Sequence, residues 1–198
     1  MTGVQTCALP IYARYAVVPR QQPGSLVFND TRFHPAERLV FGGPQNPASA
    51  ESFRGDNVNA DRLTVVSAVD GLTGVEKGQT VAEVTLVGLD GDERRYGLRY
   101  GLELTTYRRG SPNPENALWA YYGPAFVPRG PSFGSQLSGT ILPIDPPMRV
   151  TRIDVRFLAD AGLLMVHGLG LRDAQTFATR SIVSNDRVKY QPVYEDLD

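Results

Sequence analysis

Cysteine, histidine and tryptophan are almost missing from this sequence, and each shortage closes off a class of chemistry. The single cysteine, Cys7, allows no intrachain disulfide and no cysteine-based zinc site. Only two histidines occur, His34 and His167, and neither has Cys, Asp or Glu around it at ligand spacing. His34 reads as a surface loop residue, and His167, inside the apolar run LLMVHGLGL, as a strand residue. No stretch of about eighteen apolar residues is present, so the sequence supplied holds no membrane-spanning helix. Neither sign of charge dominates: 20 Lys and Arg against 21 Asp and Glu leave a formal charge of −1. That balance gives no global field toward polyanions, and nucleic acid is set aside as a partner. There is no P-loop and no dinucleotide fingerprint, and the Gly- and Ser-rich segment GPSFGSQLSG reads as a loop rather than as a nucleophile elbow.

What remains is a chain built for β structure. Hydrophobic residues make up 41% of 198 positions, enough for one folded core, while 20 Gly and 15 Pro imply many short elements joined by many turns. Short β-prone pieces, RYAVV, SLVF and RLVF, form a lead-in between Tyr12 and Phe41, and the polar segment GGPQNPASAESFRGDNVN from Gly42 to Asn59 has linker composition. Leu63, Val65, Ser67 and Val69 alternate along a strand. Thr80–Leu89 and Glu93–Tyr107 are expected as two strands of a hairpin turned at Asp90-Gly91, with Tyr96, Leu98, Tyr100, Leu102 and Leu104 on the core face. Ala117–Tyr122, Ser138–Pro143, Arg149–Leu158 and Gly162–Leu171 follow as further strands, and Arg172–Ala178 is the best helix candidate. The expectation is an all-β fold, a jelly-roll-type antiparallel β-sandwich with a short N-terminal β lead-in. Residues 12–59 are then lead-in strands and linker, 60–185 the sandwich domain, and 186–198 the start of a truncated further strand.

Candidate chemistry is sparse. Glu83, Asp92, Glu93, Glu103 and Asp154 are the carboxylates from which a glycosidase pair would have to come, and spacing alone brings no two of them together. The remaining feature is aromatic. Trp119, Tyr121 and Tyr122, with Arg108 nearby, could stack on sugar rings and bond their hydroxyls; the same residues serve equally as core packing. Asn29-Asp30-Thr31 matches a glycosylation sequon by chance. No cofactor and no metal are expected.

Two resemblances add to this reading. Met1–Ile11, MTGVQTCALPI, resembles the peptide read from a common sequencing adapter, which would make residues 1–11 a non-native artefact. Asp70-Gly71, the hairpin TVAEVTLVGLDGDERRYGLRYGLELTTY, the strand VTRIDVRF, then VHGLGLRD and YQPVYEDLD, together resemble the extracytoplasmic C-terminal β domain of YfhO-like bacterial membrane proteins of the class C glycosyltransferase type. The likeness covers roughly residues 60–198. It implies a non-catalytic accessory domain on the extracytoplasmic side of a bacterial membrane, anchored through helices outside the sequence supplied. Its partners would be the membrane-embedded part of the same parent chain and, secondarily, glycan. No residue here matches the family's catalytic carboxylates, so no catalytic residue is carried over. The rival expectations are a free carbohydrate-binding module with Trp119, Tyr121, Tyr122 and Arg108 as its platform, and a glycan-active enzyme on a sandwich scaffold.

Overall fold

The computed structural model describes residues 26–33, 39–42, 50–106, 119–124 and 134–182, and every regular element among them is a strand. These are β1 (Leu26–Phe28), β2 (Thr31–Phe33), β3 (Leu39–Gly42), β4 (Ala50–Asp70), β5 (Thr80–Gly88), β6 (Glu93–Arg99), β7 (Trp119–Pro124), β8 (Gly134–Phe157), β9 (Leu163–Asp173) and β10 (Thr179–Ser181). β1 and β2 make a two-stranded hairpin; the others join one eight-stranded sheet ordered β10-β9-β4-β8-β5-β6, with β3 also on β9 and β7 also on β8. All strand pairings are antiparallel. The all-β sandwich expected from the sequence is what forms. Its strand order does not by itself identify the jelly-roll type.

Two long strands, β4 with 21 residues and β8 with 24, generate the sandwich. The register of β4 shifts between Arg54 and Val58 and again between Ala60 and Arg62, with Asp56 and Asn57 at positive φ. Opposite the second shift, β8 carries Pro143, Pro146 and Pro147, where Arg62 pairs with Pro143 and Ala60 with Met148. Prolines cannot donate to a ladder, and they fall where β8 passes from its β7 neighbour (up to Gly139) to its β5 neighbour (from Val150). Bulges bend strands. Residues 50–58 of β4 thus join β8, β5 and β6 in one layer, and residues 60–70 join β9, β3, β10, β7 and the first half of β8 in the other. The layers close on each other: a Cβ on Gly42, at the β3 margin of the second layer, would stand 2.7 Å from the ring of Phe157, which pairs with Ala82 in the first.

Between the layers lies the main core, with Leu63, Val65 and Val69 of β4, Val84 and Leu86 of β5, Leu98 of β6, Ile153 and Val155 of β8, and Leu169 and Leu171 of β9 all buried. A second apolar cluster sits on the outside of the second layer, where Phe28 and Phe33 of the hairpin press on Val66, Ala68, Leu137 and Met165.

Four readings from the sequence are corrected here. Residues 50–59, taken for linker, are the first half of β4, so no boundary falls at residue 60: the segment is polar because one of its faces is wet, not because it is a loop. The lead-in belongs to the domain, since β3 pairs with β9 and the hairpin covers a sheet face. The strand expected to run to Tyr107 ends at Arg99, where the Arg99 carbonyl accepts from the N–H groups of Leu102, Glu103 and Leu104 and turns the chain. Arg172–Ala178 is not helical; β9 continues to Asp173, and the Asp173 carboxylate caps the following turn by accepting from the Gln175 and Thr176 N–H groups at 2.9 and 2.8 Å. Residues 1–11 and 186–198 lie outside the described residues.

Candidate functional site at the hairpin tip

The turn between β1 and β2 is two residues long, Asn29 and Asp30, both at positive φ (45 and 60). That geometry suits the right-handed twist of a tight hairpin, and Asn and Asp tolerate it better than other side-chain-bearing residues. The turn is held over the sheet by polar bonds: Asn29 Nδ2 donates to Thr64 Oγ1 at 3.0 Å and Arg62 Nη1 donates to Asn29 Oδ1 at 3.4 Å. Close approach of the hairpin depends on two glycines of the sheet beneath. A Cβ on Gly139 would meet the Phe28 ring at 2.6 Å, and one on Gly170 would strike Thr31 Oγ1. Thr31 is fully buried, and its hydroxyl has no hydrogen-bond partner among the described residues.

Beside this tip stand two arginines in cross-strand register, Arg62 of β4 and Arg172 of β9. Like charges directly opposite would repel. The β4 bulge supplies the compensation: Asp61 accepts from Arg172 Nε at 2.9 Å and from Nη2 at 2.5 Å, a two-pronged carboxylate–guanidinium pair with both side chains about four-fifths covered, at 23% and 19% exposure. The Arg172 hydrogen bond holds the Asp61 carboxyl below the ordinary carboxylate range, and the same bond pushes the Arg172 guanidinium up. Phe177, in the turn after β9, places its ring 5.5 Å from the Arg172 guanidinium carbon. The ring remains 63% exposed, and its backbone has φ 57, uncommon for a bulky residue. Asp30 is exposed at the rim and adds to the field that favours the charged Arg172.

The carboxylates considered for catalysis are distributed differently. Glu103, 5% exposed, is clamped by Arg99, whose Nη2 and Nε donate to its two oxygens at 2.6 and 3.0 Å and whose backbone N–H donates at 2.9 Å. Glu93 pairs with Arg95 at 2.8 Å and Asp154 with Arg152 at 3.0 Å. Glu83 lies in register with Gly97 of β6 and Arg156 of β8, and Asp92 belongs to the turn that Gly91, at φ 82, closes between β5 and β6. No group of three or more His, Cys, Asp or Glu among the described residues could hold a metal.

Of the aromatic platform, the structure places the backbones of Trp119, Tyr121 and Tyr122 in β7, opposite Gly139, Leu137 and Gln136 of β8. Arg108 and His34 lie outside the described residues. His167 is 3% exposed and falls at a β9 bulge, between the pairs Val66–Gly168 and Ser67–Val166. The cluster of Asn29, Asp30, Asp61, Arg62, Arg172 and Phe177 escaped the sequence reading because its members are scattered from residue 29 to residue 177. One local signal was available, the Asn-Asp pair between SLVF and TRF. The chain matches no protein-family profile, no curated protein and no solved structure.

Proposed function

We propose that this chain is a non-catalytic accessory β-sandwich domain of a larger, membrane-anchored, glycosyltransferase-like bacterial protein, standing on the extracytoplasmic side and packing on the membrane-embedded part of its parent. The observation that carries the reading is the outer face of the first layer, which no element among the described residues covers. Cross-strand register lines up Arg54 with Arg152, Ser52 with Asp154 and Thr85, Thr85 with Arg95, and Arg156 with Glu83. Arg54, Arg95, Arg152 and Arg156 are all exposed. A broad pleated face of arginines, carboxylates and small residues suits docking against another polar surface; it does not enclose a small substrate. The engagement of Glu93, Glu103 and Asp154 by arginines close to them in sequence also suits a structural role, because a carboxylate held by a guanidinium is a poor general acid. The sequence likeness to YfhO-like proteins supplies the membrane-bound parent.

Sequencing the source DNA across both ends of the reading frame tests this. Several hydrophobic helices encoded upstream are the expected outcome, whereas a signal peptide upstream with a stop codon close downstream would sink the anchored-domain reading. A second reading, a carbohydrate-binding module, is favoured by the exposed Phe177 ring beside the paired charges of the hairpin tip.

A further inference from the structure

The outer face of the first layer is a regular grid, because four strands in register present every second side chain to it. Three rows cross β4, β8, β5 and β6 in that order: Arg54, Arg152, Val87 and Glu93; then Ser52, Asp154, Thr85 and Arg95; then Ala50, Arg156, Glu83 and Gly97. None of these residues is buried, whereas Ile153, Val155, Val84, Leu86 and Leu98 at the intervening positions are. Glu93 pairs with Arg95 and Asp154 with Arg152, each within its own strand. Arg54, Arg156 and Glu83 are left without an ion pair among the described residues. Arg54 also stands directly opposite Arg152, an arrangement that costs free energy on an isolated sheet.

Symmetry decides whether a second copy could cover such a face. Two copies meeting face to face share a two-fold axis lying between the sheets, and the axis fixes which residue meets which. An axis across the strands would set Asp154 against itself and Arg152 against the partner's Arg156, like on like. An axis along the strands, between β8 and β5, exchanges β4 with β6 and β8 with β5 and keeps every row. Arg54 then faces the partner's Glu93, and Arg156 faces the partner's Glu83. Asp154 meets the partner's Thr85, Ser52 the partner's Arg95, and Ala50 the partner's Gly97, while the aliphatic stem of Arg152 lies on the partner's Val87. No like charges oppose one another, and each of the three residues without an ion pair gains an opposite charge. Facing sheets pack about 10 Å apart, a gap that Arg and Glu side chains span together. With strands about 4.8 Å apart and rows about 6.7 Å apart, the grid covers roughly 400 Å² per copy. A standard interface covers about 800 Å² per partner, so the free chain associates weakly. Chains held in one membrane would meet at a raised effective concentration.

We propose that the outer face of the first layer docks on the same face of a second copy of this chain, with the two-fold axis along the strands between β8 and β5. This rests on the reading of that face as a docking surface and names its partner. The face joins two parent chains, and packing on the membrane-embedded part falls to other surfaces of the domain.

The test is sedimentation equilibrium of the whole chain at low salt, from roughly 10 μM to 1 mM, the range in which a small interface is half-occupied. A monomer–dimer equilibrium that weakens with added salt is expected. Arg54→Glu sets like charges against each other at both ends of the interface and should weaken association about tenfold or more; adding Glu93→Arg should restore it. Arg156→Glu with rescue by Glu83→Arg repeats the exchange in another row, and urea midpoints of the dilute monomers show which variants fold. A chain that stays monomeric throughout would overturn the dimer and leave the membrane-embedded part as the partner of this face. Association indifferent to Arg54→Glu and Arg156→Glu, or not restored by the paired exchanges, would overturn it by placing the contact elsewhere. The anchored-domain reading is decided separately, by the sequence encoded upstream.

Discussion

On the outer side of the second layer, Val66, Ala68, Leu137 and Met165 are apolar and lie under Phe28 and Phe33; on the outer side of the first, Arg54, Arg152, Asp154, Arg156 and Arg95 meet solvent. Both faces belong to the same hydrogen-bonded sheet, and β4 and β8 contribute to each. What differs is what covers them. An antiparallel layer buries one side in the sandwich and must either wet or cover the other, and here the two solutions occur within one molecule. The consequence for β4 is visible along its length. Residues 63–69 are buried on both sides, while residues 50–54 leave most side chains in water. The hairpin that supplies the cover also brings the Asn29-Asp30 turn to Arg62 and Arg172, so the cover and the charged cluster at its tip are one construction.

The largest test of this contrast is removal of the cover. Phe33→Ala, at a side chain 2% exposed, should cost about 3–5 kcal/mol in urea unfolding if the hairpin is integral. A loss below about 1 kcal/mol would mean that the hairpin is a loosely attached flap. Gly139→Ala should cost about 1–3 kcal/mol, because its Cβ would stand 2.6 Å from the Phe28 ring and either the ring or the strand must shift. An unchanged midpoint would show that the hairpin can lift without penalty. Thr31→Val should act in the opposite direction, raising stability by about 1 kcal/mol, since it keeps the β-branched shape and removes a buried hydroxyl without a partner among the described residues. A destabilised Thr31→Val protein would point to a bridging water under the hairpin. On the bare face, Arg54→Glu should gain only about 0.5 kcal/mol by placing an opposite charge in register with Arg152, and added salt should erase the gain. A loss of more than about 1 kcal/mol there would show that the face is packed rather than solvated.

The elements that could be read from the sequence are those with one wet face. β5, β6 and the second half of β8 alternate between apolar and polar positions, so Val84 and Leu86, Leu98, and Ile153 with Val155 identify the core side directly. The Asp90-Gly91 turn was equally plain, because its positive φ at Gly91 is a local requirement of the backbone. The first half of β4 was not readable, since AESFRGDNVN carries the composition of a loop and becomes a strand only when β8 lies beside it. The site at the hairpin tip was out of reach for a related reason. Arg62 and Arg172 are 110 positions apart, and only the β4–β9 register makes them neighbours.

Composition, turn chemistry and period-two alternation therefore determined that this chain is antiparallel β with enough apolar positions for a folded core, because those properties act over a few residues and are written locally. Which outer face is covered, where the long strands bend, and which charges meet were decided by the tertiary structure. Those outcomes depend on register between segments far apart in sequence, and a shift of one residue would have turned every side chain of a strand to the other face.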